Sequence, residues 1–405
     1  MNTRFPKLFL AAGKWLLLSA LVGAMAGSLS ALFLWMLEQV TAIRTEYGWL
    51  VWLLPVAGFW VGLAYHYLGK DVARGNHLVF DTIHNPRDLI RFRMAPMVLM
   101  GTVITHLFGG SAGREGTALQ MSAAAADQLH RPFRLSGTER SVLLIAGLSA
   151  GFASVFGTPL AGFVFGLEVL LLGRVPYGAV IPALAAAFTG TWVTELWGIG
   201  HTHYEIGVVP GITLMGLIYS LLAGVAFAIA AILFVRLTEL FVRWFAKITF
   251  PPLRPFAGGI VVLLLVTVLG TNRYLGLGVP VIVESFSHAL DGQEFALKLL
   301  FTAVTLGAGF KGGEVTPLFF IGAALGSSLS LILPLPVGLM AGMGFVAVFA
   351  GAAKTPVACC LMALELFGLS CAVYVIVACF TAYMVSGRYS IYNAPENKFP
   401  KHFLL

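Results

Sequence analysis

Charge is scarce in this 405-residue chain: 18 acidic and 25 basic residues make up 11% of it, where soluble proteins keep about a quarter of their residues charged. With 59% hydrophobic residues and a mean hydropathy of +0.90, this excludes a soluble globular protein. What remains is a polytopic membrane protein. Cysteine is scarce too. Cys359, Cys360, Cys371 and Cys379 lie in apolar surroundings without C-x-x-C spacing, which argues against disulfides and metal ligation and for small buried side chains. Also missing is any parallel-sheet pattern or ordered Asp and His. Gly109–Gly113 formally fits the hydrolase motif G-x-S-x-G around Ser111, but that motif needs a strand-to-helix elbow and both partners.

What is abundant is apolar sequence cut by glycine. Clear apolar stretches run over Trp15–Leu37, Leu50–Leu68, Ala95–Phe108, Gly178–Val193, Ile212–Val235 and Leu369–Val385, and a spanning helix needs about 20 such residues. Forty-six glycines and nineteen prolines predict tilted and broken helices, tolerated at membrane depth where they line a protein-enclosed cavity. The net charge of +7 does not point to nucleic acid. The basic residues fall in short connectors (Arg87, Arg91, Arg93; Arg131, Arg134, Arg140; Arg236, Arg243, Lys247), as positive-inside topology requires. Arg4, Lys7 and Lys14 place the N-terminus in the cytoplasm, and Lys398 and Lys401 place the short tail there. The start has the features of a signal peptide, with Ala24-Met25-Ala26 as an A-x-A site. The apolar run continues beyond it, so it reads as a retained first span.

The stretch around which the chain is organised is Gly109–Gln120, G-G-S-A-G-R-E-G-T-A-L-Q. Glu115 sits between glycines ahead of an apolar run, Ala118–Ala126, that reads as a helix. Free N–H groups and the dipole at a helix N-terminus favour negative charge, so a carboxylate and a bound anion would compete there. The pattern returns. Gly110, Gly113, Glu115 and Thr117 match Gly309, Gly312, Glu314 and Thr316, each 199 residues on (309 − 110 = 199). Thr158-Pro159 precedes Glu168 as Thr355-Pro356 precedes Glu365, both with nine residues from Pro to Glu (168 − 159 = 365 − 356 = 9). Repeated halves with glycine-broken segments in corresponding positions point to a transporter whose site lies at the repeat interface. The first repeat spans roughly 13–200 and the second roughly 207–392, taken as inverted so that both N-termini reach one depth.

G-R-E-G-T at Gly113–Thr117 resembles the G-R-E-G-P motif of the CLC family of chloride channels and proton-coupled antiporters. Phe156–Glu168 is similar to the family's F-G-T-P-L-G-G-x-x-F-x-x-E segment, Gly313–Pro317 fills the place of G-x-F-x-P, and Tyr392 fits a late pore tyrosine. The resemblance implies an all-α membrane domain of two inverted repeats and a homodimer with an independent pathway in each subunit. It implies no enzymatic activity and no cofactor or metal. The 19 residues after Ser386 (405 − 386 = 19) are too few for the cytoplasmic regulatory domains of many eukaryotic members. One transmembrane domain over 1–405, in a bacterial inner membrane, is the expectation.

Three departures resemble the family's fluoride/proton antiporter subgroup. G-N-H-L-V at Gly75–Val79 replaces the chloride motif G-S-G-I-P, putting Asn76 where the serine would be; Val315 replaces the anion-binding phenylalanine; and Val169 stands where chloride antiporters carry their inner proton glutamate. The resemblance makes Glu115 the gating glutamate of a proton-coupled fluoride exporter, the alternative being a chloride antiporter or channel of the same family. Gly113, Gly116, Val315 and Thr316 would frame the anion. Glu314 reads equally as a second proton carboxylate or a helix cap, and Thr316 as a hydroxyl donor or an N-cap. Asn76 can aim amide hydrogens at an anion. Phe80 offers either a positive ring edge or an apolar wall, and Tyr392 either a phenolic donor or an interfacial anchor. Arg114 reads as structural or as raising local potential, and Glu168 and Glu365 as internal braces or caps. His77, His201 and His203 read as loop residues.

Overall fold

The computed structural model describes residues 4–86, 89–170 and 177–392, with side chains from residue 13. Arg87, Lys398 and Lys401, and the side chains of Arg4 and Lys7, lie outside that set. Among the described residues the chain forms α-helices and short 3-10 turns and no strand.

The helices fall into two series of eight in the same order. The first comprises α1 (Arg4–Glu46), α2 (Leu54–Leu68), α3 (Asn76–His84), α4 (Met94–Leu107), α5 (Glu115–Asp127), α6 (Gly137–Phe156), α7 (Pro159–Glu168) and α8 (Val180–Leu196). The second comprises α9 (Leu214–Ala246), α10 (Leu253–Leu269), α11 (Val279–Ser287), α12 (Gln293–Gly307), α13 (Val315–Leu329), α14 (Val337–Ala353), α15 (Pro356–Phe367) and α16 (Ala372–Val385). Each series opens with a long helix, carries a nine-residue third helix and has its sixth and seventh helices split at a Thr-Pro step. Five of the helical stretches are long and apolar enough to cross a membrane; α5, α7, α13 and α15 are the short, broken ones.

Local chemistry explains the breaks. Pro159 and Pro356 stand at the first positions of α7 and α15, where a missing N–H costs nothing. The preceding helices end in left-handed residues at matching places: Gly157 (φ 71°) after α6 and Lys354 (φ 63°) after α14. A non-glycine residue there is strained, and Lys354 is held by donating to the Ser386 hydroxyl at 2.6 Å. Ser136 and Glu139 form a capping box at the start of α6. The turn before it is closed by Arg140, which donates to both carboxylate oxygens of Asp127 at the end of α5 (2.6 and 2.7 Å). Two expectations shift. The polar connector 69–93 contains a helix, α3, and Arg236 and Arg243 belong to α9, whose 33 residues make about 50 Å, longer than an apolar core of about 30 Å.

Lipid supplies no hydrophobic drive between helices, so close backbone approach does the packing. Between α13 and α14, Gly322 and Gly344 face each other so closely that a Cβ on either runs into the other's carbonyl oxygen. The halves are stitched by carboxylates. Glu168, ending α7, accepts the N–H groups of Val357 and Ala358 at the start of α15 (2.9 and 2.7 Å). Glu365 on α15 accepts those of Leu160 and Ala161 at the start of α7, both at 2.8 Å. The two glutamates are the reciprocal caps expected of them. All four cysteines are free and buried.

Candidate functional site

At the centre of this two-fold arrangement two glycine loops meet. Gly113 donates its N–H to Gly313 O at 2.6 Å, and Gly313 donates back to Gly113 O at 2.8 Å. This two-way bridge sets the N-termini of α5 and α13 beside each other. The loop ahead of α5 is fixed from both halves. His106 bonds the carbonyls of Thr102 (2.8 Å) and Ala112 (3.1 Å), while Thr305 Oγ1 on α12 accepts from the Ser111 N–H (3.2 Å).

Glu115, the first residue of α5, is wholly buried. Its carboxylate crosses to the other half and accepts the Thr316 N–H (3.1 Å), the Arg114 N–H (3.1 Å) and the Thr316 hydroxyl. Arg114 Nε stands 3.6 Å from its second oxygen. Each hydrogen bond to a charged group contributes about 1.5–3 kcal/mol, and a buried carboxylate otherwise pays several kcal/mol in desolvation. Two of the donors come from the head of α13 and one from the residue ahead of α5. Protonation of Glu115 would remove the charge that these donors answer. The Thr316 hydroxyl is thus engaged by Glu115, and the N-cap position of α13 is held by Glu314.

Beside this seat a cavity of about 150 Å³ is lined by Asn76, His77, Gln120, Lys311, Glu314 and Tyr392, among others. Asn76 Oδ1 and the Tyr392 hydroxyl are buried without a hydrogen-bond partner, and buried polar atoms are seldom left so. An amide's oxygen and nitrogen are interchangeable by assignment, so Asn76 can turn a donor toward an anion. Phe80 meets the Tyr392 ring edge to face, centroids 5.2 Å apart. Val315 is fully buried. Glu314 precedes α13 but makes no side-chain cap bond and faces the cavity instead. At Gly116 a Cβ would lie 3.2 Å from both Asn76 Nδ2 and Gly313 Cα, so glycine lets α3 and α13 close on α5.

The other residues that the sequence singled out stand as follows. Gly113 spends its N–H on the bridge and so shapes the site without donating to an anion. Ser111 bonds Thr302 Oγ1 at 2.9 Å, and no strand precedes it among the described residues, so the hydrolase alternative finds no support here. His77 is exposed. His203 is exposed in the loop before α9, while His201 lies with its ring against Gly157. Burial, with the Arg114 charge adding, pushes the His201 imidazole down to about 4. The sequence reading did not single out Lys311 or Gln120 as site residues. For Lys311 the signal was present: an ionisable side chain at membrane depth marks a pathway.

The family model described as voltage gated chloride channel matches residues 57–387. The chain belongs to the CLC family. A Pseudomonas syringae pv. tomato relative named chloride/fluoride channel protein is 52% identical over 396 residues, covering 96% of this chain and 88% of the relative. The solved structure of a CLC-type fluoride/proton antiporter superposes with a TM-score of 0.91 at 34% identity, covering 94% of this chain and 97% of that one. A cyanobacterial Cl⁻/H⁺ antiporter shares the fold, with a TM-score of 0.80 at 19% identity. In this CLC chain the position after Glu168 is Val169, and Glu168 itself is engaged as a cap. Neither offers a free carboxylate near the end of α7.

Proposed function

We propose that this CLC protein is a fluoride/proton antiporter of the bacterial inner membrane, a homodimer with both termini in the cytoplasm. The observation that carries the reading is the Glu115 carboxylate seated on three donors, two of them from Thr316. Proton and anion use this seat in turn. Ionised, Glu115 fills it; protonated, it gives the Thr316 and Arg114 donors to an anion, which passes on to Asn76 and Tyr392. Glu314, which makes no cap bond to α13 and lines the cavity, is the carboxylate to which this reading assigns proton exchange with the inner side. Fluoride is small and strongly hydrated, so it needs compact donors close at hand. The Thr316 hydroxyl, the Asn76 amide and the edge of Phe80 answer that need, and the named relatives support it. A chloride antiporter is the second reading.

The test is purified protein in liposomes loaded with equal fluoride and chloride, each followed by an ion-selective electrode, with external pH recorded. Fluoride efflux far above chloride, with uphill proton uptake, is expected. Comparable chloride efflux refutes the fluoride assignment and takes the special roles from Asn76 and Thr316.

A further inference from the structure

Three lysines on the helices and loops of the membrane domain end in different surroundings. Lys298 on α12 is wholly buried and donates to the carbonyls of Tyr274 (3.1 Å) and Gly276 (2.7 Å). Lys354 donates to Ser386 Oγ. Both have their hydrogens engaged by the protein and act as braces. Lys311, in the loop leading to α13, has no such acceptor. Its ammonium stands 4.0 Å from the centre of the Tyr65 ring, and no carboxylate lies within ion-pair distance of it among the described residues. The position is built for it. Gly101 on α4 leaves the notch through which the side chain runs, and a Cβ there would lie 2.8 Å from Lys311 Cγ. Tyr65 steadies the charge from one face, and Lys311 is part of the cavity wall.

That cavity is the one lined by Asn76, Glu314 and Tyr392. The other fixed cation on its wall, Arg74, is already paired with Asp81. We propose that Lys311 forms an anion-loading station in this cavity, where a hydrated small halide rests before it passes to the Asn76–Tyr392 donors. This rests on the reading of the chain as an anion transporter. An ammonium suits the role because it is a compact, strongly hydrated point charge. It draws an anion in through water without the two-pronged grip of a guanidinium, so the ion leaves again quickly. It also offsets the repulsion that an ionised Glu314 imposes on an entering anion.

The test pairs transport with binding. Lys311→Met keeps the stem in the Gly101 notch and removes the charge. Its half-saturating fluoride concentration in liposome efflux is expected to rise about fivefold, the worth of one unit charge about 4 Å from an ion in water-like surroundings. Its maximal rate, proton-to-fluoride ratio and melting temperature are expected to stay at wild-type values. Calorimetric titration of the solubilised protein with sodium fluoride and with sodium chloride is expected to show the same loss. Lys311→Cys modified with an aminoethyl thiosulfonate, which restores an ammonium, is expected to recover affinity. The uncharged methyl reagent is not. Half-saturation and binding within twofold of wild type in Lys311→Met, or equal recovery with both reagents, overturns the station. A wild type that moves no protons but loses halide binding in Lys311→Met keeps the station and overturns the antiporter reading.

Discussion

Replacing Glu115 by Gln tests the gate most directly. The carboxylate accepts from Arg114 N–H, Thr316 N–H and the Thr316 hydroxyl. Bonds to a charged acceptor contribute about 1.5–3 kcal/mol and neutral ones about 0.5–1.5. The amide therefore loses about 1 kcal/mol at each of three contacts. About 3 kcal/mol corresponds to a seat weakened roughly 100-fold, and the amide cannot carry a proton at all. Two consequences are expected. Apparent fluoride affinity tightens by about an order of magnitude or more, because the competitor has been weakened. Fluoride efflux continues with no proton uptake. The assay is fluoride and pH recording on the same liposomes, with an imposed fluoride gradient and a proton gradient opposed to it. Proton uptake against its gradient in Glu115→Gln would refute the gating assignment, whatever the flux of fluoride.

Glu314→Gln, leaving Glu115 intact, is expected to lower proton turnover at least tenfold while the seat still binds fluoride in calorimetry; unchanged coupling would return Glu314 to a structural role. Glu168→Ala and Glu365→Ala each strip two N–H acceptors from the start of the opposite helix, and each is expected to destabilise by about 2–4 kcal/mol, read as a lowered melting temperature in detergent. A difference between the two greater than about twofold would break the symmetry argument. Gly322→Ala drives a methyl group into the Gly344 carbonyl and is expected to cost about 1–3 kcal/mol or more; a wild-type melting temperature would show that α13 and α14 can part without loss.

The sequence carried the scaffold of the site because that scaffold is periodic. Equal spacing in the two halves matched the loop of Glu115 with that of Glu314 and Glu168 with Glu365, and each of these matches rests on backbone position, which spacing encodes. Side-chain direction is another matter. Glu314 looked as much like a cap as a proton group, and spacing alone does not say that its side chain lines the cavity and makes no cap bond. Gly113 was expected to frame the anion, and spacing did not reveal that its N–H bonds a glycine 200 residues away (313 − 113 = 200). The nine residues of α3 are too few, and too polar at their ends, for apolar periodicity to reveal a helix inside a connector. Lys311 escaped because its surroundings, a ring from α2 and a notch in α4, are assembled from three separate segments.

The exchanged caps also set a clock on synthesis. Leu160 and Ala161 wait for an acceptor that lies 204 residues further along, measured from Ala161 to Glu365. At translation speeds of about 5–20 residues per second, that interval is roughly 10–40 s. Through that time the first half sits in the bilayer with the head of α7 unmet, and Glu168 has no helix to cap. A nascent chain arrested before residue 365 is thus a membrane protein with an open seam, the form that quality-control proteases would be first to find.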